Sequence, residues 1–334
     1  MRTRQLGKSE LWSSVIGLGA LHFGVYLDEG DAIGMVHHAL ASGVNFIDTG
    51  PLYGNGMAET IVGKAIKGRR GKCLLSTKVG LARNTRPDGT FGVEVVPLRP
   101  ERIRAALEKS LRELQTDYID LFQFHAFDDS TALEESFETM DRLVQEGKIL
   151  AVGASNYDAN ELLRVISTIR ANNWLPLAAL ECHYNAIERR AESQILPICR
   201  EWQISIIPYR SLARGILTGK YTPEGTIPEH SRAVDSWRVR RLLDDATLRL
   251  VGALSSYARE NGHSVTELAI AWHLSRQETG SVLIGARNQA QFDECAKATS
   301  WQLNASQLQE IDTIIENEGR SQFVAKSPDV FFEK

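Results

Sequence analysis

The chain has 334 residues, of which 43% are hydrophobic and 24% charged, with a net charge of −4. This is the balance of an ordinary globular protein, and nothing in it calls for a nucleic-acid partner. No stretch approaches the roughly 20 apolar residues of a membrane span and residues 1–6 lack the apolar run of a signal peptide, so a soluble cytoplasmic protein is expected.

Residues 2–6 and 12–14 flank Gly7-Lys8-Ser9 and read as a small hairpin before the first apolar strand, 15–18. After a loop over 19–30, the spacing of Ile33, Val36, His37 and Leu40 predicts a helix over 31–42, ended by Gly43. The second strand, 45–48, carries Phe46 and Ile47 and ends on Asp48. Thr49, Gly50 and Pro51 turn the chain, Tyr53 and Gly54 lie in that turn, and a helix follows over 57–67. The third strand, 73–77, ends at Lys78. Residues 79–99 read as a long loop with Pro87-Asp88-Gly89 as a turn.

Pro100 opens a helix with a buried stripe of Ile103, Leu107, Leu111 and Leu114. The fourth strand, 119–124, ends at His125, and a helix follows over 133–145. The fifth strand, 149–153, runs into Ala154, Ser155 and Asn156, and Asp158 caps a helix over 159–169. The sixth strand is 178–182, followed by a helix over 191–202. The seventh is 205–208, followed by Tyr209 and by the longest connection, 210–243. Helices over 247–261 and 265–275 precede the eighth strand, 281–284. Helices over 289–298 and 306–316 and a tail over 319–334 complete the chain.

Strict βα alternation argues for parallel strands with right-handed crossovers, and eight such units favour a closed (β/α)8 barrel over an open doubly wound sheet. Gly17-Leu18-Gly19-Ala20-Leu21-His22 lacks the third glycine that an open dinucleotide-binding sheet needs. No composition break divides the chain, so residues 1–334 are expected to form a single barrel domain with long loops at its carboxyl-terminal rim. Cys73, Cys182, Cys199 and Cys295 have no CxxC spacing and are expected as separate reduced thiols, with no zinc cluster.

In such a barrel the site lies at the carboxyl ends of the strands. Asp48, Tyr53, Lys78 and His125 all fall there. Singly each has a plain structural explanation: a cap, a packed ring, an interface lysine, a core histidine. Together they have a chemical use. A phenol has an ordinary pKa of about 10, and a neighbouring ammonium favours its phenolate. Asp48 would hold Lys78 charged, Tyr53 would give a proton to a carbonyl oxygen, and His125 would orient that oxygen.

Over almost its whole length the sequence resembles the aldo-keto reductase family. The resemblance rests on Phe46-Ile47-Asp48-Thr49-Gly50-Pro51-Leu52-Tyr53-Gly54, Ser76-Thr77-Lys78, the run ending at His125, Gly153-Ala154-Ser155-Asn156, the segment 209–221 and Gly285-Ala286-Arg287. It implies that Asp48, Tyr53, Lys78 and His125 are a catalytic tetrad and that NADPH is the hydride donor. Ser155 and Asn156 then match the pair that holds the nicotinamide carboxamide, and Tyr209 the ring that stacks on the nicotinamide. Ser211, Leu212, Arg214 and Gly215 match the pyrophosphate cradle. Gly285, Arg287, Gln291 and Glu294 match the adenosine half, where an arginine beside a 2′-phosphate prefers NADPH. A solvated arginine at a helix start is the plain alternative for Arg287.

The chain departs from the family pattern in three places. Glu181 stands where a glutamine is common; it can accept from the carboxamide but not donate, and it adds charge. Cys295 stands where an asparagine often meets the adenine. Arg210 and Ser211 replace a Ser-Pro pair in the loop after the seventh strand. Leu21, His22, Phe23, Tyr26, Leu52, Phe127 and Trp237 are candidates for a partly aromatic substrate pocket. Arg83, Arg86, Arg232, Arg238, Arg240 and Arg241 in the long loops either meet an anionic substrate or are solvated surface. The expected function is reversible reduction of an aldehyde or ketone. A free-sugar or nucleotide-sugar ketone as substrate remains open, as does an NADPH-binding regulatory subunit with little turnover.

Overall fold

The chain opens on an antiparallel hairpin, β1 (Thr3–Gln5) with β2 (Trp12–Ser14). The computed structural model describes residues 1–85, 91–223, 225–229 and 231–318; the turn expected at Pro87-Asp88-Gly89, Arg86 and the tail 319–334 lie outside the described residues. β3 (Ile16–Gly19) is followed by a 3-10 turn at Ala20–His22 and by α1 (Glu29–Ala41), whose N-cap Asp28 accepts from the Asp31 N–H. β4 (Phe46–Asp48) is buried throughout and leads to α2 (Ala58–Ile66). β5 (Leu74–Val79) takes in Lys78 as a strand residue. The segment expected as a loop over 79–99 carries instead a second antiparallel pair, β6 (Leu81–Thr85) and β7 (Phe91–Val95). Val93 and Val95 alternating with Gly92 and Glu94 are the period-2 signal for it.

α3 (Pro100–Leu114) has proline in its first turn and ends at Gln115 in the left-handed region, φ 53°. β8 (Ile119–Phe124) is buried along its whole length, as a parallel strand covered on both faces must be. α4 (Leu133–Gln145) and β9 (Ile149–Ser155) precede α5 (Ala159–Ala171), which starts with a reciprocal capping box between Asp158 and Glu161. After β10 (Ala179–His183), the helix expected over 191–202 is two, α6 (Arg190–Gln194) and α7 (Leu196–Trp202). Pro197 lies in the first turn of α7 and has no N–H to continue the ladder. β11 (Ser205–Tyr209) feeds the long connection, which contains a 3-10 segment at Ala213–Thr218, α8 (Arg232–Asp235) and α9 (Trp237–Leu242). α10 (Asp245–Glu260), α11 (Val265–Leu274), β12 (Val282–Ile284), α12 (Gln289–Lys297) and α13 (Ala305–Glu318) follow.

The main sheet has eight strands in the order β11-β10-β9-β8-β5-β4-β3-β12, all parallel. Its two end strands meet. The Ile206 N–H donates to the Glu278 carbonyl (2.7 Å), the Gly280 N–H donates to the Ile206 carbonyl (2.9 Å), and Ser211 Oγ donates to the Leu283 carbonyl (3.0 Å). The result is a (β/α)8 barrel, and the open-sheet alternative fails at this seam. None of the helices in the described residues is long and apolar enough to cross a membrane.

The hairpin stoppers the amino-terminal end. Arg4 donates to the carbonyls of Leu274 (2.5 Å), Arg276 (3.1 Å) and Thr279 (2.6 Å), while Leu6 and Leu11 join Phe46, Leu121, Ala151, Ala179, Ile207 and Leu283 in one apolar cluster. Burying each large side chain there contributes about 1.5–3 kcal/mol. Side chains two residues further along a strand point the same way, so the next layer up the barrel is Asp48, Gln123, Gly153, Glu181 and Tyr209. That layer is polar. Gly153 is part of its construction, because a Cβ there would lie 2.9 Å from Gln123 Cγ.

Candidate active site

Lys78 is the centre of the polar layer and is 0% exposed. Its Nζ donates to both Asp48 carboxylate oxygens at 2.6 Å and to the Thr49 carbonyl at 3.1 Å, and lies 3.1 Å from Glu181 Oε2. Ser76 Oγ donates to Asp48 Oδ1 (2.9 Å). Gln123 Nε2 donates to Ser76 Oγ (2.8 Å) and Glu181 Oε2 (3.1 Å), with Asp48 Oδ1 at 3.4 Å. Residues from β4, β5, β8 and β10 therefore form one hydrogen-bonded block. Burial works against the Lys78 ammonium, but the charges of Asp48 and Glu181 outweigh it and hold the group well above its ordinary value.

Tyr53 sits on this block. Lys78 Nζ is 4.9 Å from its ring centroid, and its ring meets His125 edge-on at 6.0 Å. The turn carrying it depends on Gly54, which has φ 58° and where a Cβ would fall 1.9 Å from the Phe23 carbonyl oxygen. Arg83 donates to the Leu52 carbonyl (3.3 Å) and Asn55 Oδ1 (2.8 Å), so this β6 arginine braces the tyrosine turn. Lys78 favours the phenolate, as the sequence reading has it, but burial outweighs it. Burial pushes the Tyr53 hydroxyl above its ordinary value, Lys78 pulls it down, and the negative charges of Glu181 and Asp48 push it up again. Burial, then Lys78, holds His125 well below the ordinary histidine value, so its ring is neutral.

The second half of the site lies on β9, β11 and the connections after β11 and β12. Asn156, with φ 63°, donates through Nδ2 to Ser155 Oγ (2.8 Å) and the His125 carbonyl (3.0 Å), and accepts at Oδ1 from the Tyr209 hydroxyl (2.7 Å). Tyr209 stacks on His183 with 5.5 Å between centroids. Beyond it the backbone is left-handed at Arg210, Ala213, Arg214 and Gly215, a concave shape of the kind that cradles anions. Arg210 and Arg214 bring two positive charges to it, while Leu212 is half-buried against the core. An amide–hydroxyl pair, a half-buried ring and a cationic turn are a set that fits a dinucleotide. Ser211 does not belong to that set through its side chain, since its hydroxyl is spent on the barrel seam.

Around α12, the Arg287 guanidinium lies 4.0 Å over the Tyr26 ring, and Tyr26 meets His22 edge-on at 5.2 Å. His22 also packs 3.2 Å from where a Cβ of Gly285 would be. Two residues expected in the substrate pocket thus adjoin the arginine expected at the adenosine end. Gln291 Oε1 accepts from the Arg287 N–H (3.0 Å), and Glu294 Oε1 accepts from Ser264 Oγ (3.1 Å). Cys295 is buried in the core, where burial pushes its thiol up to about 12, and Phe23 is likewise wholly buried. Phe127 is nearly buried, edge-on to Tyr157 at 5.1 Å and under Arg164. Leu52 is half-buried, and Trp237 at the start of α9 is 59% exposed. All four cysteines are buried and unbridged.

A family model described as "Aldo/keto reductase family" matches residues 15–316. The chain belongs to the aldo/keto reductase family. It is an oxidoreductase acting on a carbonyl or an alcohol, and the family's redox partner is a nicotinamide nucleotide. It is 35% identical over 324 residues to the aldo-keto reductase YhdN of Bacillus subtilis (strain 168), covering 95% of this chain and 94% of that one. It is 33% identical over 306 residues to a probable voltage-gated potassium channel subunit beta of Oryza sativa subsp. japonica, covering 89% of this chain and 91% of that one. Among solved structures, the glycerol dehydrogenase AKR11B4 of Gluconobacter oxydans superposes with a TM-score of 0.82 at 29% identity, covering 97% and 98% of the two chains.

The sequence reading missed Ser76 and Gln123, and gave Glu181 to the cofactor without its bond to Lys78. The signal for the first two was present. Each lies two residues before a predicted catalytic residue, Ser76 before Lys78 on β5 and Gln123 near the end of β8 before His125, the spacing that repeats a strand face.

Proposed function

We propose that this aldo-keto reductase is an NADPH-dependent carbonyl reductase, running reversibly, in which Tyr53 protonates the substrate oxygen. The observation that carries the reading is a buried tyrosine ring 4.9 Å from an ammonium gripped by two carboxylates at the barrel rim. When bound, the nicotinamide supplies the hydride. Ser155 and Asn156 would hold its carboxamide, with Glu181 as a further acceptor, and Tyr209 would offer a flat ring. Arg210, Leu212, Arg214 and Gly215, with the Ser211 backbone, would take the pyrophosphate. Gly285, Arg287, Gln291 and Glu294 would line the adenosine end, with the Arg287 charge selecting the 2′-phosphate.

Tyr53 keeps its proton at neutral pH, so it is ready to donate as negative charge develops on the oxygen. Lys78 and the Thr49 carbonyl fix the electrostatic frame below it, and neutral His125 hydrogen-bonds the same oxygen without adding charge. The solved glycerol dehydrogenase favours a small polyol or sugar as one class of substrate, in the alcohol-oxidising direction. The channel-subunit relative favours a second reading, a nucleotide-binding regulator with little turnover; a measured turnover separates the two.

The test is a screen of aldoses, aromatic aldehydes, ketosugars and polyols with NADPH, NADH and their oxidised forms, beside a fluorescence titration of the cofactor. The proposal expects turnover with NADPH preferred. Tyr53→Phe should lose about 10²–10⁴-fold in the single-turnover rate with little change in cofactor affinity. A Tyr53→Phe variant as fast as the parent would mean that the acid is elsewhere.

A further inference from the structure

The site contains one charge more than proton donation by a Tyr–Lys–Asp arrangement requires. Lys78 has two buried carboxylates, Asp48 at 2.6 Å and Glu181 at 3.1 Å. We propose that Glu181 is a positioning residue whose carboxylate, set on Lys78, tightens the hold of Tyr53 on its proton, so that carbonyl reduction and alcohol oxidation both depend on the Glu181 charge and hence on pH. The inference rests on the reading of Tyr53 as proton donor.

The argument is one of charge count. With Glu181 ionised, one ammonium faces two carboxylates and the block beneath Tyr53 carries a net negative charge. A phenolate there would be a further anion in a dry cavity, where like charges repel strongly. With Glu181 neutral, the block is balanced and the phenolate is easier to form. Glu181 is held in its place by Gln123, which donates to it at 3.1 Å and which Gly153 allows to cross the barrel interior.

The groups facing Glu181 come from every neighbouring strand. They are Asp48 on β4, Tyr53 after it, Lys78 on β5, the uncharged Gln123 on β8 and Ser155 on β9, Cys182 on its own strand and Tyr209 on β11. Burial keeps both tyrosine hydroxyls and the Cys182 thiol protonated, and it keeps His125 and His183 beyond them neutral. Lys78 and Asp48, whose carboxyl burial pushes up against the hold of Lys78 and Ser76, are therefore the groups that Glu181 senses. Burial first, then Asp48, pushes Glu181 up to about 7, so its charge changes near neutrality. Below that pH Tyr53 is the stronger acid and reduction is favoured. Above it, oxidation has to form a phenolate against the Glu181 charge. Glu181 transfers no proton in this scheme; apart from accepting from the carboxamide, it acts on Tyr53 through its charge.

The test follows single-turnover rates in both directions from mildly acidic to alkaline pH for the parent, Glu181→Gln and Glu181→Asp. The parent's reduction rate should rise as pH falls through about 7, and Glu181→Gln should abolish that rise. In Glu181→Gln the oxidation rate should reach half its maximum at a pH lower by about one unit or more, as expected for the loss of a charge at this range. Glu181→Asp should restore the parent behaviour in part. A second measurement needs neither cofactor nor substrate: the tyrosinate absorbance that disappears in Tyr53→Phe should arise at lower pH in Glu181→Gln. Should the amide variant fail to fold, Glu181→Met carries the same expectations. Unchanged pH profiles and tyrosinate titration, with Tyr53→Phe inactive, would overturn this inference alone. A fully active Tyr53→Phe would overturn the proton-donor reading and this inference with it.

Discussion

β5 presents its two faces to two buried carboxylate clusters, and the clusters differ in one respect. Inside the barrel, Lys78 sits between Asp48 and Glu181. Outside, between α2 and α3, Thr77 Oγ1 donates to Glu59 Oε1 at 2.7 Å, with Ser110 and the half-buried Glu113 beside it; Lys109 reaches Glu113 at 3.6 Å, and among the described residues Glu59 itself has no ion pair. Burial, reinforced by Glu113, pushes Glu59 up to about 7 against the hydrogen bond of Thr77 and the nearby Ser110 hydroxyl. Neighbouring residues on one strand thus build a charged block at the barrel rim and, packed between two helices, a carboxylate that holds its proton more tightly than usual. A buried carboxylate with a lysine becomes an electrostatic tool, and one without a lysine behaves as a neutral hydrogen-bonding group until pH rises.

The most severe way to break this comparison is to make the inner cluster resemble the outer one. Lys78→Met should reduce turnover by about 10²-fold or more. Leaving Asp48 and Glu181 without their cation should also cost about 3–5 kcal/mol of stability, read by denaturant unfolding. A variant with parent stability would mean that the two carboxylates simply take up protons when the lysine is lost.

A smaller effect sharpens the outer cluster. Glu59 binds its proton more tightly in the folded than in the unfolded chain, so its stabilising contribution is complete below the ordinary carboxylate range and is lost as pH rises through about 7. Glu59→Gln cannot ionise, and it should therefore be more stable than the parent by about 1–3 kcal/mol at about pH 8, with little difference near about pH 4.5. In that variant Glu181 still contributes with the same sign, while the buried histidines His22, His125, His183 and His273, held below their ordinary value, contribute with the opposite one. Equal stability of variant and parent at both pH values would remove Glu59 from the account.

The smallest effect is that of Thr77→Val, which deletes the hydroxyl on Glu59 while preserving a β-branched strand residue. It should cost about 1 kcal/mol, more at high pH where Glu59 needs the donor, and leave turnover unchanged. A loss of turnover would show that the outer face of β5 communicates with Lys78.

Much of this molecule is legible in the residues alone. The alternation of strand and helix predicts the barrel, and the strand ends predict Asp48, Lys78 and His125, because a period of two puts alternate side chains on one face and the carboxyl end of each strand opens the site. Helix ends follow from local chemistry, as at Pro100 and the Asp158–Glu161 box. Short-range signals that compete with a loop reading, such as Val93 and Val95 in the hairpin, are weaker and were lost. Tertiary structure alone decided what Glu181 does. β10 is separated from β5 by β9 and β8 in the sheet, so no local pattern relates residues 78 and 181. Closure of the barrel turns both strands inward across a space too narrow for water to separate them, and there a carboxylate on one wall becomes a partner of the lysine on the other. The same closure outweighed the expected influence on Tyr53: the lysine nearby still favours the phenolate, but burial and a second negative charge brought from across the interior hold the hydroxyl above its ordinary value.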